Sequence, residues 1–595
     1  KLPEVPHHVC WIHNAAHEFA FMSGIYHFKP EEGFYREVRK PIWFSMNNCI
    51  EFRCSYLQTN MSLKKLTKQY GVHEKLSGQK FDYDKVRFPW TELNDYELEY
   101  AVTDVKSLVD VMRIRMEKDG DNLQTIPLTS TGYVRRDVRQ ALKPLFLPIR
   151  DILPDEAQYR LLRKAFRGGN THCNKAKSGK ILKNVYSYDM ASCYPAQQLT
   201  KQYPMTKFRW LDDRLTLDRI LRFLKLNYAV VGLYEFTNIR LKKKSTPIPY
   251  VSLSRTESIG FRCDNGRLLY ADFSRMALTE IDLEIILEQY DYDLIDVKSA
   301  MVAQKGYLPD EYKDVIRKYY HNKTYLKGTE DPDEQYLYQK DKEKLNAIYG
   351  MSAQDPIHAD VQYDDGIWTV SGYNRPTEEI NKTLLKAKFP YQWGVYTTAY
   401  ARQALQEGID LAGKQMVYCD TDSIKVVEGY DKKVIEDYNS FVKNKIEYVS
   451  NKLQIPLDKF APKDIKGKER MLGLFDSDGF YEEFITQGAK KYAVKDEGEI
   501  KITVAGVPKK GSKALTTLED FKDDLVFRYE DTGKNLLFYV DYELPSIMTD
   551  YLGNTYEVTD NDNETVTKTI KVTVIADEEP VINATDKTIN IIFEF

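Results

Sequence analysis

The sequence is poor in cysteine and lacks long apolar runs, and both absences narrow the class of protein. Its 595 residues include seven Cys and no Cys-x-x-Cys pair, which argues against a disulfide framework and a structural zinc site. No stretch of about 18 apolar residues occurs, so we expect no membrane-spanning helix. The odd number of cysteines also favours a reducing compartment. Because the chain opens at Lys1 without Met or a signal-peptide pattern, we expect an N-terminally shortened protein.

An excess of charge of one sign is also missing. The formal net charge is −4, so charge alone does not indicate a nucleic-acid-binding protein. Basic residues cluster locally, as in residues 240–244 and 463–470, although a solvated surface is the commoner role of such a stretch. The composition, 42% hydrophobic and 29% charged, is typical of a globular protein, and the length predicts roughly three to five domains.

The hydrophobic pattern predicts a chain that mixes helices and strands. We expect a strand at residues 9–12, a helix at residues 100–116, and two polar helices between residues 310 and 350 with a turn near 330–334. Further strands are predicted between residues 357 and 396 and around Val417 and Val426. Residues 565–574 alternate like a β-strand and predict a separate β-rich element.

The strongest chemical pattern is an acidic turn at residues 418–423 (Tyr-Cys-Asp-Thr-Asp-Ser). β-prone residues flank it, which predicts a hairpin with Asp420 and Asp422 at its tip. Like charges at a rigid tip repel unless a cation compensates, and Mg²⁺ prefers carboxylate and phosphate oxygens. A solvated turn is the alternative, whereas an EF-hand is excluded because its sixth position would be Lys425 instead of Gly. From the turn alone, metal binding and a solvated turn both remain open.

A second β-prone run, residues 185–188, is followed by Asp189 and then by a predicted chain reversal. Two-metal catalysis requires carboxylates from separate strands to meet at one point, and only tertiary folding could bring Asp189 to Asp420. Tyr194 follows shortly after, where its ring could press against a sugar, although core packing is the commoner role of a Tyr.

Two further patterns place cations near the same chemistry. Lys342, Asn346 and Tyr349 recur at helical spacing and would share one face, where Lys could bind phosphate and Tyr could pack on a base or sugar. The polar stripe of an amphipathic helix is the alternative. Near a later predicted strand, Lys490 could reach phosphate, although this signal is weak by itself.

Taken together and in this order, the patterns resemble motifs A, B and C and the Lys-x-Tyr motif of family B DNA polymerases. The sequence reads Asp-x-x-Ser-x-Tyr-Pro, Lys-x-x-x-Asn-x-x-Tyr-Gly, Tyr-x-Asp-Thr-Asp-Ser and Lys-x-Tyr. Residues 166–169 (Phe-Arg-Gly-Gly) resemble the Tyr-x-Gly-Gly motif of the protein-primed branch of phages and linear plasmids, with Phe in place of Tyr. Long gaps between the motifs resemble its two terminal-protein regions. The resemblance extends over about residues 8–550.

The resemblance implies an α+β multidomain fold, a right-hand polymerase with a partial ribonuclease-H-like exonuclease domain and terminal-protein-region insertions. The implied divisions are a truncated 3′–5′ exonuclease domain (1–115), a linker and the start of the palm (116–200), terminal-protein region 1 (201–305), the fingers (306–352), the terminal-protein region 2 hairpin (353–393), the palm (394–504), the thumb (505–553) and a β-rich C-terminal extension (554–595).

The resemblance also implies a role for each matching residue. Asp189 and Asp420 would bind two Mg²⁺ ions, for which Mn²⁺ could substitute, and Asp422 would support the site. Residues implied to bind the incoming nucleotide are Tyr194 (the steric gate that rejects a ribose 2′-OH), Lys342, Asn346, Tyr349 and, as a lesser candidate, Lys327. Lys490 would stabilise the triphosphate or the primer end. Residues implied to contact DNA are Arg167, Gly168, Gly169 and Tyr492.

The N-terminal region resembles the 3′–5′ exonuclease of the same family. The matching residues are Asn14 and Glu18 (motif Exo II, where the family often has Asp in place of Glu), Ser62 and Leu63 (the single-strand-binding motif), and Tyr100 and Asp104 (motif Exo III). The Exo I motif, Asp-x-Glu, should precede Asn14, but the chain begins only thirteen residues earlier without it. We therefore expect little or no proofreading, and Mg²⁺-dependent degradation of single-stranded DNA by the pure protein would contradict this.

The implied partners are primer–template DNA, dNTPs and a terminal protein that offers the first hydroxyl. We expect a monomer that acts in the host cytoplasm without a membrane partner. Three alternatives remain: a catalytically inactive DNA-binding relative, an RNA polymerase or reverse transcriptase, and a structural protein built around the β-rich tail. Intact motifs argue against the first, and Tyr194 at the gate position argues against the second. The structural alternative does not account for any of the motifs that precede the tail.

Overall fold

The computed structural model of the chain describes residues 8–47, 49–72, 90–212, 215–242, 248–364, 366–371, 375–427 and 433–522, with residues 525 and 527. Beyond residue 536 it describes the backbone of several short strands. Within these described residues, no helix combines the length and the apolar character that crossing a membrane requires.

The described chain alternates helices and strands, numbered here in chain order. The helices are α1 (Ala15–Met22), α2 (Leu63–Tyr70), α3 (Asp95–Asp119), α4 (Ser130–Ala141), α5 (Phe146–Asp151), α6 (Glu156–Ala165), α7 (Cys193–Thr200), α8 (Leu217–Lys225), α9 (Glu280–Gln289), α10 (Asp310–Tyr325), α11 (Pro332–Ala353), α12 (Thr377–Leu384), α13 (Tyr391–Ala412) and α14 (Lys433–Leu453). The strands are β1 (His8–Ile12), β2 (Gly33–Glu37), β3 (Lys40–Met46), β4 (Ile50–Cys54), β5 (Thr171–Cys173), β6 (Leu182–Met190), β7 (Gln202–Pro204), β8 (Arg209–Trp210), β9 (Tyr228–Leu241), β10 (Glu257–Asp264), β11 (Arg267–Thr279), β12 (Tyr290–Asp291), β13 (Leu294–Tyr307), β14 (Asp360–Asp364), β15 (Ile367–Ser371), β16 (Met416–Asp420), β17 (Ser423–Val427), β18 (Phe475–Gly488), β19 (Lys491–Asp496), β20 (Glu499–Val504), β21 (Leu537–Pro545), β22 (Ile547–Thr549), β23 (Thr555–Glu557), β24 (Thr567–Thr573), β25 (Val581–Thr585) and β26 (Thr588–Ile592).

The chain forms two compact units, and the first combines residues 1–143 with residues 356–383. Its sheet has the strand order β1-β4-β3-β2 and is covered by α1. The hairpin β14–β15 belongs to this unit, because Tyr363 and Trp368 join its aromatic core around Phe19. The predicted helix near residue 100 is confirmed as α3, which starts at a capping box between Asn94 and Glu97.

The second unit combines residues 144–355 with residues 384–595 and contains two larger sheets. One has the order β10-β11-β9-β13-β7 and encloses its own apolar core. The other has the order β20-β19-β18-β6-β17-β16-β5 and brings together strands that are distant in sequence. We call this second one the central sheet. One of its faces packs through Met190, Cys419 and Ile424 into a core that α13 completes with residues such as Leu405. The opposite face holds a smaller apolar cluster around Val185 and Tyr418.

The predicted pair of polar helices is confirmed as α10 and α11, which pack against each other. Pro332 opens α11, and the Asp331 side chain accepts hydrogen bonds from the backbone N–H groups of Asp333 and Glu334 at 2.9 Å each. Pro at the first helical position and an Asp cap together explain why the turn near residues 330–334 ends one helix and starts the next.

The strands predicted between residues 357 and 396 are only partly confirmed. β14 and β15 are present, but residues 377–384 belong to α12 and residue 391 starts α13. Aromatic and β-branched residues favour strands, yet α13 is a helix with Trp393, Tyr396 and Thr397 fully buried. Burial on nearly all sides hides the helical period and outweighs the local preference. At Gly394 a Cβ atom would collide with the backbone of Ala353, so a glycine allows α13 to approach α11 closely.

The predicted β-rich element at the end of the chain is present as backbone strands. β24 pairs antiparallel with β21, and β25 pairs with β26. The first pairing joins strands from both sides of the boundary predicted at residue 554.

Candidate active site

At one end of the central sheet, carboxylates from three strands and one turn lie close together. Asp189 at the end of β6 lies opposite Ser423 on β17 and opposite Asp476 on β18. Asp420 at the end of β16 also lies opposite Ser423. Because directly opposed residues point to the same face of a sheet, these three carboxylates share one face, and Asp422 follows in the turn. The structure therefore brings together the acidic residues that sequence reasoning placed at a common site.

Burial and mutual repulsion raise the pKa of two of these carboxyl groups. Burial raises the pKa of Asp189 to about 6, with the Asp478 carboxylate adding to the effect and the ammonium groups of Lys425 and Lys323 opposing it. Burial raises the pKa of Asp422 to about 7, and the charge of Asp189 contributes most after burial. The protein alone thus supplies too little positive charge for these carboxylates, which is the condition that a bound divalent cation relieves.

The two carboxylates of the acidic turn have different surroundings. Oδ1 of Asp420 accepts hydrogen bonds from the hydroxyls of Thr171 (2.6 Å) and Thr421 (3.1 Å). Asp422 instead interacts electrostatically with Asp189. These contacts make Asp422 a further candidate partner of Asp189, while the assignment of the metal to Asp189 and Asp420 made from the sequence stays a prediction. The spacing Asp-Thr-Asp could not decide between them, because the choice depends on the left-handed backbone at Thr421 (φ 58°) that orients the turn.

The donor set fits a hard cation that also binds a ligand. Within the described residues, no three His, Cys, Asp or Glu side chains form a preformed metal cage. Mg²⁺ usually takes one or two protein carboxylates and completes its shell with phosphate oxygens and water. Asp189 and Asp422 match that pattern.

Sequence reasoning missed two acidic residues of this site. Asp476 and Asp478 stand in an Asp-Ser-Asp segment near the start of β18 and line the same cavity as Asp189. An acidic pair beside a predicted strand was the available signal, but it lacked the hairpin context of residues 418–423.

Next to the carboxylates, two tyrosines form a rigid surface. Tyr194, in the first turn of α7, stacks on Tyr349 of α11 with ring centroids 3.8 Å apart and an interplanar angle of 14°. Burial raises the pKa of Tyr194 far above its usual value, and Tyr349 adds to the shift. Both residues were predicted for the nucleotide site, and the structure unites them. Asn346 lies exposed on α11.

Three lysines, on α10, on α11 and in the connection between them, lie in this region. Lys323 of α10 donates from Nζ to the Ser192 hydroxyl at 2.9 Å. Burial lowers the pKa of Lys323, and repulsion from Lys342 and Lys327 lowers it further, so the three ammonium groups lie close enough to interact. Lys342 and Lys327 were predicted, whereas Lys323 was missed because nothing in its polar helix distinguishes it. A cavity of about 510 Å³ lies here, and its lining residues are Asp189, Ala191, Ser192, Lys323, Lys327, Lys468, Arg470, Asp476, Ser477 and Asp478.

The loop at residues 166–169 lies against the acidic turn. The backbone N–H of Thr421 donates to the carbonyl of Asn170 at 2.8 Å, and a Cβ atom on Gly169 would lie 2.7 Å from Oγ1 of Thr421. The Arg167 guanidinium donates to the carbonyl oxygen of Ala277 at 2.8 Å. That internal contact disfavours direct DNA binding by Arg167, whereas Gly168 and Gly169 are exposed.

A buried ion pair that sequence reasoning missed fixes this loop. Arg402 of α13 donates to the carbonyl of Gly168 at 3.1 Å and to the Asp282 carboxylate at 2.7 Å. Both charged side chains are almost completely buried. A buried pair with satisfied hydrogen bonds positions groups more than it stabilises the fold, so its consequence here is a fixed loop conformation.

The Lys-x-Tyr segment lies on the same face of the central sheet. The backbone N–H of Lys490 donates to Oη of Tyr418 at 2.8 Å, while the Lys490 side chain is exposed. The Tyr492 ring stacks on Phe484 with centroids 5.2 Å apart, so part of this predicted DNA contact is used in packing. Lys425 is buried beneath it, with Nζ 5.6 Å from the Tyr492 ring centre, and was not predicted.

The predicted exonuclease residues all lie in the first unit. Asn14 precedes α1 in a left-handed conformation (φ 71°), and Glu18 lies on α1. In the single-strand-binding motif, Ser62 immediately precedes α2 and Leu63 is buried at its start. Tyr100 and Asp104 of motif Exo III lie on α3. Their roles and the expected weakness of proofreading stay predictions.

A sheet with clustered carboxylates, flanked by a lysine-bearing helix pair, is the arrangement that the polymerase-like motifs of the sequence predict. Residues 143–441 match the family model described as DNA polymerase type B, organellar and viral, and the chain belongs to this family. The match confirms the family that the motifs predicted.

Named relatives and solved structures agree with that assignment. The chain is 24% identical over 410 residues to the DNA polymerase of Bacillus phage PZA and, to the same extent, to that of Bacillus phage phi29. Each alignment covers 66% of this chain and 65% of the relative, slightly less than two thirds of the relative's length. Phi29 DNA polymerase complexed with primer-template DNA and incoming nucleotide substrates has the same fold, with a TM-score of 0.64 at 17% identity, covering 93% of this chain and 91% of that one. The expected α+β polymerase fold is confirmed.

Proposed function

We propose that this protein is a DNA-dependent DNA polymerase that adds dNTPs to a primer 3′-OH by two-metal nucleotidyl transfer. The main observation in support is that the carboxylates of Asp189 and Asp422 lie close enough to interact, beside a cavity lined by lysines. The relatives are DNA polymerases by name, and a solved neighbour of the same fold holds primer-template DNA and incoming nucleotides.

In the reaction, the primer 3′-OH loses its proton to water, and its oxygen forms a bond to the α-phosphorus of the dNTP. The bond from that phosphorus to the bridging oxygen breaks, and pyrophosphate leaves with the electron pair. Two Mg²⁺ ions, held by Asp189 and Asp422, would supply activation of the 3′-OH and stabilisation of the leaving group. Asp420, held by two threonine hydroxyls, supports the turn that presents Asp422.

The chain's own side chains position the nucleotide and balance its charge. Lys323, Lys327 and Lys342 form a cationic wall for the triphosphate, and pre-positioned charge needs no reorganisation during the reaction. The stacked rings of Tyr194 and Tyr349 form the surface under the sugar. Because Tyr194 is fixed by this stack, a ribose 2′-OH would have to displace it.

The protein binds DNA through contacts to the sugar–phosphate backbone, because base pairing with the template supplies the sequence information. The exposed glycines of the loop at residues 166–169 allow close approach of a strand, and exposed Lys490 offers charge to the primer end. Binding should therefore weaken as salt increases. We further propose that the first acceptor is a terminal-protein hydroxyl. In support, the hairpin β14–β15 and the sheet around β9 occupy the two inserted regions that the motif spacing predicts.

The decisive experiment is primer extension on a primed single-stranded template with Mg²⁺. The variants are Asp189→Asn and Asp422→Asn, with Asp458→Asn, an exposed carboxylate far along the chain, as the matched control. We expect extension by the parent and the control, and a loss of about 10²-fold or more in each site variant. DNA affinity is measured for all four. A parent that binds DNA but extends no primer would instead identify an inactive DNA-binding relative.

A further inference from the structure

The cavity beside Asp189 is lined by cationic side chains on two sides. One set comes from α10 and the residues after it, and the second set comes from a separate loop. Lys468 and Arg470 line the cavity together with Lys323 of α10 and Lys327, which follows the end of that helix. They belong to the loop between the one-turn helix Leu457–Lys459 and β18, which is basic in sequence. None of the motifs found in the sequence includes this loop.

The loop is held in one shape. Oδ1 of Asp464 accepts hydrogen bonds from the backbone N–H groups of Lys466 at 3.0 Å and Lys468 at 2.9 Å. Oδ2 of the same side chain accepts from Nε of Arg470 at 2.9 Å. Oη of Tyr320 donates to the carbonyl of Arg470 at 2.8 Å. Because Tyr320 lies on α10, the helix that carries one cationic wall also fixes the other, and so both walls are preorganised.

The distribution of charge indicates what the cavity holds. Asp189, Asp476 and Asp478 provide carboxylates, and the lysines and arginine stand on separate elements around them. Neutralisation of these carboxylates is the simplest alternative role for the basic loop. However, the ion pair found for Arg470 joins it to Asp464 of its own loop. A ligand that carries several anionic oxygens, and that approaches carboxylates through divalent cations, fits this arrangement.

We propose that Lys468 and Arg470 bind the pyrophosphate moiety, as the β- and γ-phosphates of the dNTP before transfer and as free pyrophosphate afterwards. This inference rests on the proposed polymerase function. When the bond between the α-phosphorus and the bridging oxygen breaks, negative charge develops on the leaving pyrophosphate, next to this wall. In the reverse reaction, an oxygen of pyrophosphate forms a bond to the phosphorus of the terminal phosphodiester. The bond from that phosphorus to the 3′-oxygen of the preceding nucleotide breaks, this oxygen takes up a proton from water, and a dNTP leaves. The same two residues bind pyrophosphate as the substrate of this reaction.

The test measures the KM for pyrophosphate in pyrophosphorolysis and the KM for dNTP in single-nucleotide extension. The variants are Lys468→Ala, Arg470→Ala and Arg470→Lys, and Lys466→Ala in the same loop is the matched control, because its exposed side chain does not line the cavity. Removal of one charged phosphate contact should raise the KM for pyrophosphate about tenfold. The control should remain within about twofold of the parent, as should the DNA dissociation constant of every variant. Arg470→Lys should recover part of the loss, since it keeps the charge without the guanidinium geometry.

Two outcomes would overturn the inference. One is an unchanged KM for pyrophosphate in variants that unfold at the parent's temperature. The other is a higher DNA dissociation constant with an unchanged KM for pyrophosphate, which would assign the loop to nucleic acid. A parent without extension or pyrophosphorolysis would refute the proposed function. In that case the inference is tested by the equilibrium binding of radiolabelled pyrophosphate in the presence of Mg²⁺. Weaker binding to Lys468→Ala than to the parent would support the inference, and equal binding would overturn it.

Discussion

A single methyl group at Gly169 should displace the acidic turn and slow catalysis. A Cβ atom there would lie 2.7 Å from Oγ1, 2.9 Å from Cγ2 and 3.0 Å from Cβ of Thr421. All three distances are shorter than ordinary contacts, and Thr421 is a short side chain next to the backbone. Relief therefore requires movement of the turn that carries Asp422. Gly169 does not have a positive φ that would by itself disfavour Ala, so the effect is steric.

The magnitude follows from the size of this overlap. Relief of a contact about 0.5–1 Å too short shifts the turn by a similar distance, and a misplacement of about 1 Å near reacting groups can cost about 10²-fold in rate. Overpacking should also lower the free energy of unfolding by about 1–3 kcal/mol. We therefore expect Gly169→Ala to fold with a lower Tm and to show kcat reduced about 10²-fold.

The assay is single-turnover primer extension at saturating DNA and dNTP, so that changes in affinity do not enter. Gly168→Ala is the matched control, since a Cβ atom on Gly168 would meet nothing within 4 Å. Thr421→Ala in the Gly169→Ala background removes the two closest atoms and should recover part of the rate. Equal kcat for Gly168→Ala and Gly169→Ala would refute the steric reasoning.

Further predictions concern the gate, the fingers and the titrating carboxylates. Replacing Tyr194 with Val removes the ring that stacks on Tyr349 and should relax discrimination against ribonucleotides by about tenfold or more, measured as the ratio of kcat/KM values for dNTP and rNTP; an unchanged ratio would exclude the gate role. Lys323→Ala should raise the KM for dNTP about tenfold, and an unaltered KM would remove Lys323 from the triphosphate site. The pKa values of Asp189 and Asp422 in the folded protein lie above the ordinary value of 3.8. The folded state therefore holds more protons than the unfolded state at intermediate pH. As a result, the free energy of unfolding of the metal-free protein should fall as pH rises from about 4 to about 7. In EDTA, the Tm of the parent should fall over this pH range, and the Tm of Asp422→Asn should fall less. Added Mg²⁺ should raise the Tm of the parent by an amount that grows with pH. If the Tm of the parent falls no more steeply with pH than that of the variant, the prediction is wrong.

The sequence identified those parts of the site whose chemistry is local. An acidic turn between β-prone segments and a helical repeat of Lys342, Asn346 and Tyr349 are visible without a fold. Lys323 and Asp476 were not found, because a lysine on a polar helix and an aspartate near a strand end acquire meaning only from tertiary neighbours. The same limit applies to the two carboxylates of the turn, which the sequence presents as equivalent and the surrounding hydrogen bonds distinguish.

The fold shows a similar division. Helices α10 and α11 could be predicted because a Pro and an Asp cap separate them at the surface. Helix α13 could not, because a helix buried on nearly all sides has no polar face to reveal its period. Sheet order was equally inaccessible, since β6 and β18 are neighbours in the central sheet but nearly three hundred residues apart.

The hairpin β14–β15 sets the order in which the protein can be completed during synthesis. It supplies Tyr363 and Trp368 to an aromatic core whose other members come from the first 60 residues. The ribosome must therefore produce α10 and α11 before the first unit can close its core, and until then Phe19 and its neighbours lack part of their cover. A fragment that ends at residue 143 would leave this core open and should aggregate, whereas co-expression with a peptide of residues 356–383 should restore its solubility.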